Sequence, residues 1–172
     1  EFKWLLQQDP DSAATHMLMG QALDGLARTP EAIAEFAAAA KADAKAPNVH
    51  FGLGYLYWKS HQYEEAAREF AAELAVDGGN AQAMAYLGDI ELRNGNSEKA
   101  LALLQRATGL NGNLRLAFVN TGVILTEKKK YDDALAALLR AEKLDAAQPD
   151  VHYRLGRLYQ AMGKTAEAQK EM

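Results

Sequence analysis

Apolar residues along this chain recur at offsets of three and four, the spacing of one helix face, and not at the offset of two that a strand would show. The recurrence itself repeats. Set against itself at a shift of 34, the chain places Gly20, Gly54, Gly88, Gly122 and Gly156 in one column with no gap. Twelve positions on stand Ala32, Ala66, Ala100, Ala134 and Ala168, and four further on Phe36, Phe70, Leu104, Leu138 and Met172, with Phe2 one period earlier. Leu23, Tyr57, Leu125 and Tyr159 form another apolar column, interrupted by Glu91. A fourth, Leu5, Ala39, Ala107 and Ala141, is interrupted by Glu73. The near-identical segments VHFGLGYLYW, from Val49, and VHYRLGRLYQ, from Val151, stand three periods apart.

Each period reads as two helices. The first starts at Ala13, with counterparts from Pro47, Ala81, Arg115 and Pro149. The second starts near Thr29, with counterparts near Tyr63, Ser97, Tyr131 and Thr165. Thr29 before Pro30 and Glu31 predicts an N-cap, a first-turn proline and a first-turn acid, and Ser97 and Thr165 are expected to cap likewise. Pro10, Gly78 and Gly112 mark ends of second helices. A glycine inside a helix costs about 1 kcal/mol relative to alanine. Its recurrence predicts a close approach of a second backbone, with the alanine column as its small partner. Gly52 and Gly54 follow no strand, so they are not read as a phosphate-binding loop.

A period of 34 with Leu-Gly, a following Tyr, then Ala and Phe resembles the tetratricopeptide repeat (TPR) family. The resemblance implies an all-α fold, an α-solenoid of antiparallel helix pairs wound as a right-handed superhelix. It spans the chain as a single domain: the second helix of a truncated repeat over 1–12, full repeats over 13–46, 47–80, 81–114 and 115–148, and a partial repeat over 149–172. The chain departs from the pattern where His16, His50, Met84, Phe118 and His152 replace the usual aromatic. It departs again where Ala44, Gly78, Gly112 and Ala146 replace the usual proline.

On each first helix a second stripe lies about 130° from the face toward the second helix. It carries Met17, Gln21 and Asp24; Phe51, Tyr55 and Trp58; Ala85, Asp89 and Leu92; Val119, Val123 and Thr126; and Tyr153, Arg157 and Gln160. By the resemblance, this stripe lines a concave groove. The expected groove residues are Asn48, Phe51, Tyr55, Trp58, Tyr86, Asp89, Arg93, Asn120 and Arg154. Exposed aromatics are common anchors of binding surfaces; packing of the same rings on adjacent helices is the alternative, and both stay open here. Family members that clamp a carboxylate tail place a lysine where this chain has Met17, Phe51, Ala85, Val119 or Tyr153, so that clamp is not expected.

Composition narrows the function classes. The net charge is −4 and the longest basic run is Lys128–Lys130 in a turn, so a nucleic-acid partner is not expected. With no cysteine, disulfides and thiolate metal sites are excluded. No apolar run reaches the length of a membrane span, and compartment stays open between cytoplasm and periplasm. His16, His50 and His152 share one column about 10 Å or more apart in a stacked array and read as packed, hydrogen-bonded residues; His61 lies in a turn. Glu73 and Glu91 are expected to meet an arginine such as Arg68 or Arg93, or solvent, with a carboxylate pair as the functional alternative. No catalytic residues, metal or cofactor are expected, and the chain is read as non-enzymatic. The expected partner is a protein or peptide. Uncovered Phe2, Trp4 and Leu5 at one end, and Leu155, Leu158 and Tyr159 at the other, suggest a fragment of a longer protein and an end-to-end homo-oligomer. A recruitment arm of a larger enzyme, such as a glycosyltransferase, and a self-assembly segment are the alternative functions.

Overall fold

The computed structural model describes residues 12–171. Among them run ten helices and no strand: α1 (Ala13–Gly25), α2 (Thr29–Ala42), α3 (Val49–Lys59), α4 (Tyr63–Val76), α5 (Ala81–Arg93), α6 (Ser97–Leu110), α7 (Arg115–Glu127), α8 (Tyr131–Leu144), α9 (Pro149–Ala161) and α10 (Thr165–Glu171). Of the helix expected over residues 1–12, residues 1–11, with Phe2, Trp4 and Leu5, lie outside the described residues, as does Met172, and Ser12 is the N-cap of α1, its side chain accepting from the Thr15 N–H. Two compact units divide within α5, the first ending at Ala83 and the second starting at Met84.

Five turns between paired helices are built alike. Ala27, His61, Gly95, Lys129 and Gly163 take left-handed φ of 58°, 61°, 80°, 57° and 75°. The next residue's N–H then donates back to the carbonyl five positions earlier: Arg28 to Leu23, Gln62 to Tyr57, Asn96 to Glu91, Lys130 to Leu125 and Lys164 to Tyr159, all at 2.9 Å. This left-handed helix ending satisfies carbonyls that would otherwise lack donors. It also starts the second helix early. Thr29 and Ser97 are therefore helical residues and not caps; Arg28 and Asn96 hold the N-cap positions without a side-chain cap bond. Thr165 likewise lies inside its helix, as the first residue of α10. One first helix also starts later than expected. Asn48 has φ 63°, which turns the chain and delays α3 to Val49.

In the first unit, α1 packs on α2, α2 on α3 and α3 on α4. Phe36 of α2 is the keystone, 4% exposed. A Cβ at Gly20 would stand 2.5 Å from its Cδ2, and one at Gly52 only 2.2 Å from its Cε1. The ring is thus gripped between two glycines, one on its own partner helix and one on the next. In the second unit, a Cβ at Gly88 would meet Leu104 at 2.9 Å, and one at Gly122 would meet Leu138 at 2.6 Å. The expected small-on-small contact needs correcting. Ala32, Ala100 and Ala134 do approach the glycine column, through carbonyl oxygens 3.3–3.4 Å from the added Cβ. The first atoms met, however, belong to the bulky column, so each glycine makes room for a ring or a branched side chain. A second correction concerns the C-terminal end: Leu155 and Leu158 are fully buried, in a cluster with Val119, Leu138 and Ala141, and Tyr159 packs against that cluster half-buried.

Candidate functional site

In the first unit, α1 and α3 leave a recess of about 250 Å³ over Phe36, walled by Gln21, Asp24, Asn48, Phe51, Gly52 and Tyr55. Glu73, behind the recess, holds the backbone of its Asn48 and Phe51 wall. It is 1% exposed, and its carboxylate accepts from the backbone N–H of Asn48 (3.3 Å) and Phe51 (3.0 Å) and from the Asn80 amide (3.0 Å). The acid in an apolar column is thus a long-range cap for α3, supplying the acceptor that a local Ser or Asp would supply elsewhere. Arg68, its expected partner, pairs with Glu65 at 3.4 Å. Phe51 tilts against Phe70, with centroids 6.0 Å apart, so it serves core and recess together. Tyr55 stacks on half-buried Trp58 at 6.3 Å. At the rim Lys59 pairs with Asp24 at 2.7 Å, and this hydrogen bond raises the lysine's pKa.

In the second unit, Asp89 and Asn120 are 4% and 7% exposed. The Asn120 amide donates to one Asp89 oxygen at 2.9 Å and Arg93 Nε to the other at 2.8 Å. Glu91 accepts from Lys99 (2.6 Å) and Asn96 (2.8 Å). Its hydrogen bond to Lys99 holds its carboxyl below the usual range, against the opposing effect of burial. Neither anomalous acid therefore meets its expected arginine, and each is satisfied within its own unit.

Between α7 and α9 a second recess of about 200 Å³ opens over Leu138, lined by Val123, Thr126, Glu127, Tyr153, Arg154 and Arg157. Its lining is the first recess shifted by three periods. Gln21, Asp24, Phe36, Phe51, Gly52 and Tyr55 become Val123, Thr126, Leu138, Tyr153, Arg154 and Arg157. One geometry is thus spelled twice, once with aromatics around a glycine and once with two arginines.

Of the expected groove residues, Asn48, Phe51 and Tyr55 share the first recess with Trp58 beside them, Arg154 lies in the second, and Asp89, Arg93 and Asn120 form one hydrogen-bonded cluster. Tyr86, half-buried on α5, lines neither recess. Gly52 was missed as a wall. The available signal was that it follows Phe36 by 16 positions, next to the place where the following first helix begins.

The column histidines are clasps between paired helices. His16, His50 and His152 each hold a glutamate nineteen residues on: Glu35 at 2.6 Å, Glu69 at 2.7 Å and Glu171 at 2.8 Å. Where Met84 and Phe118 replace histidine, Leu103 and Ala137 replace the acid. His152 Nε2 also bonds the Ala146 carbonyl at 3.1 Å. With Glu171 as the larger cause, this raises its pKa. Glu142, His152 and Glu171 are a group among the described residues with metal-ligand atoms within 4.8 Å of one another. The His152 Nδ1 in it is engaged by Glu171 just as its two counterparts are by Glu35 and Glu69. His61 Nδ1 meets the Tyr63 hydroxyl at 2.8 Å.

Residues 51–114 match the "Tetratricopeptide repeat" family model and residues 122–163 the "TPR repeat" model, together more than half of the chain. The chain belongs to the tetratricopeptide repeat family. Its fold, an all-α assembly of helix pairs, is that of a protein-interaction scaffold. A TPR crystal structure, YrrB, described as having an unusual peptide-binding site, is similar with a TM-score of 0.77 at 24% identity, covering 99% of this chain and 88% of that one. Anaphase-promoting complex subunit 3 of Schizosaccharomyces pombe is 27% identical over 162 residues, 92% of this chain and 24% of that protein. Subunit 7 of Mus musculus is 28% identical over 164 residues, 95% of this chain and 29% of that protein. The chain thus spans about a quarter of the curated relatives' length. Among the described residues no helix is long and apolar enough to cross a membrane.

Proposed function

We propose that this chain is a non-catalytic TPR scaffold, with repeats at 13–46, 47–80, 81–114 and 115–148, that holds a peptide or helix of a partner protein along the stripe of its first helices. The observation that carries the reading is the recess over Phe36. It is an apolar hollow with half-buried aromatic walls and a rim of polar groups (Asn48, Gln21 and the Asp24–Lys59 pair), the make-up of a small interaction hot spot. A site with one apolar socket and few polar groups suits an apolar side chain presented by a peptide. The peptide-binding description of YrrB and the multi-subunit complex named for the curated relatives agree with a scaffold role.

The test is selection of short random displayed peptides on the whole chain. Wild type should enrich peptides with an apolar anchor, shifting Trp58 fluorescence on binding. Tyr55→Ala with Trp58→Ala should lose that enrichment while helicity by circular dichroism persists. Enrichment that survives the double change contradicts the assignment.

A further inference from the structure

The geometry points to the recess between α7 and α9 as a second subsite, one that takes the carboxylate of an Asp or Glu side chain from an acidic peptide. This rests on the groove reading above and adds the partner's charge. Arginine in this chain is mostly satisfied internally. Arg28, Arg68, Arg93 and Arg115 pair with Glu31, Glu65, Asp89 and Asp150, and Arg140 donates to the Gly112 carbonyl at 3.0 Å. Arg154 and Arg157 differ. Among the described residues neither forms an ion pair. Arg154 lies over the Tyr153 ring at 5.8 Å, and Arg157 reaches the Tyr153 hydroxyl only at 3.4 Å. Tyr153 is 51% exposed and both arginines are exposed, so the guanidinium groups are propped at the recess mouth by an aromatic ring and not neutralised by an acid.

Glu127, the acid that lines the recess, pairs with neither arginine, which leaves two positive charges against one negative. In a chain of net charge −4 this is a local reversal of sign. It sits where the equivalent recess of the first unit presents Gly52 and Tyr55. Guanidinium groups bind carboxylates through paired, charge-assisted hydrogen bonds. The Leu138 floor and Val123 wall add apolar surface beside them, which favours an acidic peptide over a free anion.

The probe is again a random peptide library, fused through its C-terminus so that side chains supply its only carboxylates. Wild type should enrich Asp- or Glu-bearing peptides. For one of these, made with both ends blocked, affinity measured by anisotropy should fall about tenfold in Arg154→Gln with Arg157→Gln. Its Glu→Gln twin should be insensitive to that change. In wild type the acidic peptide's affinity should weaken with salt more steeply than the twin's, a reading that does not depend on the variant folding. Equal binding of the two peptides, an equal effect of the arginine changes on both, or binding only of a peptide with a free C-terminal carboxylate would overturn the subsite. Enrichment of apolar-anchored peptides with no acidic preference would sink this inference alone. No enrichment of any peptide would sink the groove reading with it.

Discussion

Glu91 shows how a residue that breaks a pattern is accommodated. It stands in an apolar column because Lys99 and Asn96 reach it from the start of the paired helix. The lysine hydrogen bond depresses its pKa in the folded state. A depressed carboxyl pKa adds stability that is present above the unfolded value, near 4.5, and is lost as pH falls through the lower folded value. Wild type should therefore unfold at higher denaturant than Lys99→Met near neutral pH, and the gap should close well below the ordinary carboxylate range. A gap independent of pH would show that Lys99 acts by packing and not by charge. Sequence position alone marked Glu91 and Glu73 as anomalies but could not name their partners. Asn48 and Phe51, which donate to Glu73, and Asn96 and Lys99, which donate to Glu91, lie at helix starts set by left-handed residues at 48 and 95, and Asn80 reaches Glu73 from the loop before α5.

At the scale of elements, the helices and their pairing were legible because glycine, alanine and bulky residues repeat without a gap. The turns were not. The left-handed column runs through Ala27, His61 and Lys129, and only two of its five members are glycine. A non-glycine residue there carries steric cost from its Cβ, tolerated because the backbone bond that follows closes the turn. Replacing Lys129 with glycine should remove that cost. The gain, net of glycine's extra unfolded-state freedom, should be about 0.5–1 kcal/mol in chemical denaturation. A loss of stability instead would mean that the lysine side chain contributes to the turn more than its backbone costs. The clasps between His16 and Glu35, His50 and Glu69, and His152 and Glu171 were written in the sequence as a fixed separation, with both members replaced together elsewhere. Pairwise columns carry that signal, and single columns do not.

For the molecule as a whole, one contact recurs in both units: a glycine on a first helix receives a ring or branched side chain from its partner helix, over an alanine carbonyl. The two recesses derive from the same contact, since Phe36 and Leu138 are their floors. On the proposed function, what each recess takes depends on residues 16 to 19 positions further along, which the repeat leaves free to vary: Gly52 and Tyr55 in one case, Arg154 and Arg157 in the other. The scaffold was therefore readable from periodicity, whereas the sites emerged only when side chains from neighbouring helices were brought together. The most direct test compares two alanine substitutions inside helices by denaturant unfolding. At Gly109 an added Cβ meets nothing within 4 Å, so Gly109→Ala should raise stability by up to about 1 kcal/mol. At Gly122 it would stand 2.6 Å from Leu138 Cγ, so Gly122→Ala should lower stability by about 1–3 kcal/mol despite the same gain in helix propensity. If Gly122→Ala stabilises the protein as Gly109→Ala does, the glycine column is not the contact that holds the helix pairs together.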